Sequence, residues 1–150
     1  MIESISVANG FSHELNGQVY RGRTAFSKED DMPVVTILER PAFDSEPQYV
    51  GSADQRKTVW ELIVQGFTAV EDHNNPTDRA YELLADIRLA LSSVLSPHSP
   101  NYSFSHERLS KISIGSGHVL PPEPEKAMYH ATCMLMLSFE FPEKISAPYA

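Results

Sequence analysis

Between Asn75 and Leu95 the chain reads NPTDRAYELLADIRLALSSVL, and its apolar residues return every three or four positions. Ala80, Leu84, Ile87, Leu91 and Val94 make one stripe, widened by Leu83 and Leu95, while Arg79, Glu82, Asp86 and Arg88 fall mostly on the other side. Asn75 is placed to cap a first-turn N–H, and Pro76 suits the first helical position because its missing N–H is not needed there. Asp78 puts negative charge where the helix dipole favours it, and Ser96-Pro97 ends the segment. The spacing predicts a helix over Asn75–Leu95. A helix with one apolar stripe draws most of its stability from the surface that stripe lies on, so the rest of the chain has to supply that surface.

It supplies strands. From Ala127 to Phe141, Tyr129, Ala131, Cys133, Leu135, Leu137, Phe139 and Phe141 alternate strictly with His130, Thr132, Met134, Met136, Ser138 and Glu140. The odd-numbered set is the core face, and the helix stripe is expected to cover Cys133, Leu135 and Leu137. The other face carries two methionines, more than a purely solvated surface needs. Pro33–Glu39 (PVVTILE) is rich in β-branched residues, and Gln18–Arg21 reads as a short edge strand ending at Gly22. In Arg56–Ala69, Trp60, Leu62 and Val64 share one face and Val59, Ile63 and Phe67 the other, which marks a central strand or a subunit contact. Glu107–Gly115 is a further strand candidate. Ser116–Lys126, with its PPEPEK run, reads as a loop, and Arg40–Gln55 as a loop or a protruding hairpin arm. The expected fold is α+β, a mostly antiparallel sheet with one main helix packed across one face. A single domain is expected over residues 1–150, with residues 1–9 and 142–150 as flexible ends.

Composition narrows the function classes. Asp and Glu outnumber Lys and Arg by 20 to 12, for a formal charge of −8. That argues against a general binder of nucleic acid or anionic membrane, which needs a basic surface. No run of 18 apolar residues exists, so no membrane partner is expected, and the N-terminus does not read as a secretory signal. The single cysteine, Cys133, allows no internal disulfide and sits on a face expected to be buried.

No constellation of catalytic residues stands out. The six histidines, His13, His73, His98, His106, His118 and His130, show no ligand spacing and read as ordinary surface residues, so no metal is expected. Glu71-Asp72-His73 reads as acidic residues favoured before a helix N-terminus rather than as an acid–base cluster. No nucleophile elbow, phosphate loop or dinucleotide fingerprint occurs. Tyr20-Arg21-Gly22-Arg23 reads as a salt bridge to Glu29–Asp31 or a subunit contact. No enzyme activity, cofactor or catalytic residue is expected.

One resemblance gives these features a common setting. The NGF…GQVYRGR opening, the acidic loop leading into MPVVTILE, the strand VWELIVQGFTAV, the helix PTDRAYELLADIRLAL and the late alternating strand follow one another from about Asn9 to Phe141. In this order and spacing the chain resembles the tail terminator (tail completion, or minor tail) proteins of long-tailed bacteriophages. The resemblance implies a structural protomer of a homo-oligomeric ring, usually a hexamer. Such a ring caps the tail tube, stops its polymerisation and joins the tail to the head-completion, or stopper, proteins. Its partners would be copies of itself, the tail tube protein and a head-completion protein, with DNA only passing through the lumen. Its place would be the virion, at the head–tail junction, after assembly in the host cytoplasm. The alternatives are another head–tail connector (a stopper or adaptor), or a small cytoplasmic enzyme or ligand-binding domain. For the ring, the interface candidates are Phe43 and Tyr49, the aromatics of the Arg40–Gln55 excursion, with Arg40, Arg56, Met134 and Met136. A lumen that lets a polyanion slide should be acidic, and the candidates for lining it are Glu29, Asp30, Asp31, Glu71, Asp72, Glu123 and Glu125.

Overall fold

The computed structural model describes residues 2–40, 48–49, 55–95, 111–126 and 128–144, with 48–49, 55–58, 94 and 142–144 as backbone only. The strands are β1 (Val19–Arg21), β2 (Val34–Glu39), β3 (Gln48–Tyr49), β4 (Gln55–Thr68), β5 (Lys111–Leu120) and β6 (Ala131–Lys144), and one α-helix, α1 (Asp78–Leu95), lies between β4 and β5. They form one sheet in the order β1-β2-β4-β6-β5, with β3 paired to β4 off that path. Every pairing is antiparallel except β1 with β2. This is the expected α+β architecture.

The helix lies on the expected face. Ala80, Leu83, Leu84, Ile87, Ala90, Leu91 and Leu95 are buried with Ala131, Cys133, Leu135, Leu137 and Phe139 in one apolar core. Two glycines of the sheet let α1 sit this close. A Cβ on Gly66 would stand 2.7 Å from Leu83 Cδ2, and one on Gly117 would stand 2.6 Å from Leu84 Cδ2. The central position read for Arg56–Ala69 holds, since β4 has β2 on one side and β6 on the other.

Several expected boundaries move. The helix begins at Asp78 rather than Asn75. The Asp72 carboxylate accepts the Asn74 N–H at 2.8 Å and the Asn75 side-chain amide at 3.0 Å, so Asp72 organises the turn that Asn75 was expected to cap. The first turn closes when the Tyr81 N–H donates to Thr77 O at 3.0 Å. Strand β5 runs on past Gly115 through Ser116-Gly117 to Leu120, into the stretch that read as a loop from Ser116. A bulge between Ile114 and Gly117 resets the register, so that Val119 and Leu120 pair with Cys133 and Thr132. Strand β6 starts four residues later than expected and continues past Pro142 to Lys144. The described pairing with β5 stops at Glu140, so Pro142 stands where β6 has one described neighbour and a missing N–H is tolerated.

Residues 2–9, part of the N-terminal stretch expected as a flexible end, are placed against the core. They form two short 3₁₀ turns, and Ile2 and Ile5 are buried against α1. The Leu15 N–H donates to Ile5 O at 3.0 Å, tying this segment to the buried Leu15. Apolar burial of these three residues holds the segment on the core.

Candidate interaction surfaces

The acidic segments meet at one end of the sheet. Glu29–Asp31 precedes β2, Glu71-Asp72 follows β4 and Glu123–Glu125 precedes β6, and the antiparallel pairing puts these three strand ends side by side. The 23–32 loop is held there across the outer face of the sheet, the face away from α1. Phe26 packs on Phe67 with ring centroids 4.7 Å apart, Arg23 lies 4.4 Å over the Phe26 ring, and Lys28 lies 3.9 Å over the Tyr129 ring. His130 Nε2 is 3.0 Å from Ser27 O.

Within this end some carboxylates are neutralised locally. Asp30 accepts the Ser27 N–H and pairs with Arg23 at 2.6 Å, and these donors hold its pKa below the usual carboxylate value. Asp72 is lowered by the Asn74 N–H and the Asn75 amide. Glu71 is lowered by Arg79, which also pairs with Glu82, and the two carboxylates raise the Arg79 pKa in turn. Glu123 pairs with Lys126. Glu29, Asp31 and Glu125 are exposed carboxylates without such partners among the described residues. The seven acidic candidates outnumber the cations at this end, Arg23, Lys28, Arg79 and Lys126.

The interface candidates are brought together only in part. Arg40 Nη1 is 3.0 Å from Glu61 Oε2 and 3.8 Å from Met136 Sδ, so the guanidinium lies across the outer face. Met134 and Met136 are half-buried there, at register positions opposite Gln65 and Ile63. Gln48 and Tyr49 pair antiparallel with Lys57 and Arg56, and residues 41–47 and 50–54 of the Arg40–Gln55 excursion lie outside the described residues. Phe43 lies outside the described residues.

On the helix side, α1 leaves one end of the sheet uncovered by any described residue. Ile37, Leu62 and Trp60 floor an open cleft of about 430 Å³, with Arg21, Gly22 and Glu39 around it. Trp60 is 44% exposed although its ring lies 5.8 Å from that of Phe139. Arg21 and Glu39 are exposed, and neither has an ion-pair partner among the described residues. The outward side of α1 adds two exposed apolar residues, Tyr81 at 58% and Leu89 at 59%. Of these, Trp60 and Leu62 on the two-faced strand and the Arg21-Gly22 pair were read from the sequence as possible subunit contacts, whereas Ile37, Glu39, Tyr81 and Leu89 were not read as part of a site. The available signal was that Tyr81 and Leu89 fall outside the buried stripe.

One buried polar pair was also missed. His13, expected at the surface, is 7% exposed, and its Nδ1 lies 2.9 Å from Asp86 Oδ2. The same oxygen accepts the backbone N–H groups of Ser12 and His13, each at 3.0 Å. His13 Nε2 and Thr68 Oγ1 are buried without hydrogen-bond partners, and both residues line a cleft of about 250 Å³ with Glu71 and Arg79. Nothing local in the sequence joins residues 73 positions apart. Cys133 is buried, and its burial pushes the thiol pKa up to about 12. Among the described residues no cluster of His, Cys, Asp and Glu could hold a metal, and no helix is long and apolar enough to cross a membrane. No protein-family model and no curated protein matches this chain.

Proposed function

We propose that this chain is a structural protomer of a self-assembling ring, a tail terminator of a long-tailed bacteriophage that ends the tail tube and joins it to the head-completion proteins. The observation that carries the assembly reading is the end of the helix-side sheet face that no described residue covers, where Trp60, 44% exposed, floors an apolar cleft with Leu62 at the margin of the core. Exposed aromatic and aliphatic surface rimmed by charge is the usual form of a protein contact. The acidic end supports the same reading, because a channel for DNA has to avoid holding phosphates. The phage setting rests on the resemblance of the ordered segments from Asn9 to Phe141. A stopper or adaptor at the same junction would share all of these features. The test is the native mass of the purified protein together with electron micrographs. A closed ring of identical copies that caps isolated tail tubes is the expected result, and a monomer at all concentrations would overturn the reading.

A second reading, a small ligand-binding domain or enzyme, is favoured by the orphan His13 Nε2 beside Thr68. It is the weaker one, because that nitrogen is sealed from solvent and the neighbouring Glu71 is engaged by Arg79. Titration of the His13 ring by NMR against small polar compounds tests it, and a ring signal that none of them shifts would remove it.

A further inference from the structure

A ring needs two different surfaces on one protomer that fit each other, because a head-to-tail contact uses unlike patches. We propose, resting on the ring reading above, that these are the outward face of α1 and the Trp60 cleft, so that α1 of one copy lies on the cleft of the next. The cleft has an apolar floor with a cation, Arg21, and an anion, Glu39, exposed beside it, neither with an ion-pair partner among the described residues. The outward face of α1 carries the complement. Tyr81 and Leu89 are exposed apolar residues, Ala85 between them is small enough to admit a close approach, and Arg88 is an exposed cation with no acidic partner among the described residues.

The spacings agree. Tyr81 and Arg88 are seven residues apart on α1, hence on one side of it and about 10 Å apart along the axis. Arg21 stands opposite Ile37 in the β1–β2 register, two residues from Glu39 on the same face, which separates their backbones by roughly 8 Å. Long side chains close the small difference. Arg88 then meets Glu39 of the neighbour, the Tyr81 ring meets the Arg21 guanidinium, and Leu89 covers Trp60 and Leu62. A helix laid into a groove by spaced anchors is a recurrent mode of recognition.

A charge swap tests the contact. Arg88→Glu and Glu39→Arg are made singly and together, and each association constant is measured by light scattering and native mass spectrometry. Both positions are exposed, so the monomer fold, checked by circular dichroism, should not change. Each single reversal is expected to weaken association about tenfold or more, and the double reversal to restore it. Leu89→Ser is expected to weaken it as well. Single variants that assemble like the wild type would overturn this contact while leaving the ring reading in place, and so would impaired singles that the double variant fails to rescue. A monomeric wild type would overturn both. A two-copy species that obeys the charge swap would support the contact and overturn the ring, with two copies exchanging helices reciprocally.

Discussion

Gly66 of β4 and Leu83 of α1 claim the same space: a Cβ at Gly66 would lie 2.7 Å from Leu83 Cδ2 and 2.8 Å from Cys133 Sγ. Leu83 is fully buried in the core. Gly66→Ala should therefore destabilise the fold by about 1–3 kcal/mol, as overpacking of a core does. Combined with Leu83→Ala, the loss should be smaller than the sum of the two single losses, because the second change removes the clash. Urea unfolding of the three variants measures this, and strict additivity would show that the contact is not limiting.

The helix–sheet core itself can be weighed at Leu135, which is 1% exposed beneath α1. Leu135→Ala is expected to cost about 2–5 kcal/mol, the range for a buried leucine truncated in a packed core. A loss near zero in denaturant unfolding would mean that this surface contributes little.

Much of this core was legible because it repeats. The three- and four-residue spacing of Ala80–Leu95 and the alternation of Ala131–Phe141 are local patterns set by the geometry of helix and strand. What was not legible depends on contacts made far along the chain. Ser116-Gly117 looks like the start of a loop until β6 is placed beside it; a bulge then resets the register, and Gly117 leaves room for Leu84 of α1. Ile2 and Ile5 have no periodic partners in sequence and are buried only because α1 and Leu15 surround them. The acidic segments were each visible, but their convergence follows from antiparallel pairing that composition does not specify.

Asp86 is the clearest case of a role set by distance. Its Oδ2 accepts two buried or half-buried backbone N–H groups and faces His13 Nδ1. Asp86→Ala leaves these donors without an acceptor, at about 1–3 kcal/mol for each one buried unsatisfied. Asp86→Asn retains one acceptor oxygen and should lose less. Thermal unfolding ranks the two, and amide exchange at Ser12 and His13 should accelerate in the alanine variant. Unchanged exchange would show that Asp86 does not hold this segment.

The acidic end also sets a pH dependence. Asp30, Asp72 and Glu71 all have pKa values lowered in the folded protein, by the Ser27 N–H with Arg23, by the Asn74 N–H with Asn75, and by Arg79. A lowered folded pKa means that the unfolded chain takes up protons first. The stabilisation is complete above the ordinary carboxylate range near pH 4 and is lost as pH falls through the lower folded values. Stability should therefore drop on acidification below about pH 4, and Asp30→Asn should make that drop shallower. Unfolding midpoints between pH 2 and 6 check the sign, and an unchanged acid limb would exclude Asp30 as a contributor.

The last prediction concerns the exposed carboxylates Glu29, Asp31 and Glu125, at the end where β2 and β6 begin. A basic tract binds DNA by releasing counterions, with an affinity that falls steeply as salt rises. In the assembled protein this acidic end should give no such binding. Reversing Glu29, Asp31 and Glu125 to lysine changes the charge by two at each position and should create affinity for duplex DNA that disappears with added salt. Geometry then separates a channel from an outer rim. A channel admits one duplex, so the variant ring should saturate at one duplex per assembly, whereas an outward-facing patch should take several. A fluorescence titration with a short duplex, read against the mass of the assembly, gives that ratio. Tight, salt-sensitive binding by the wild type, or several duplexes on each variant ring, would show that the acidic end does not line a DNA channel.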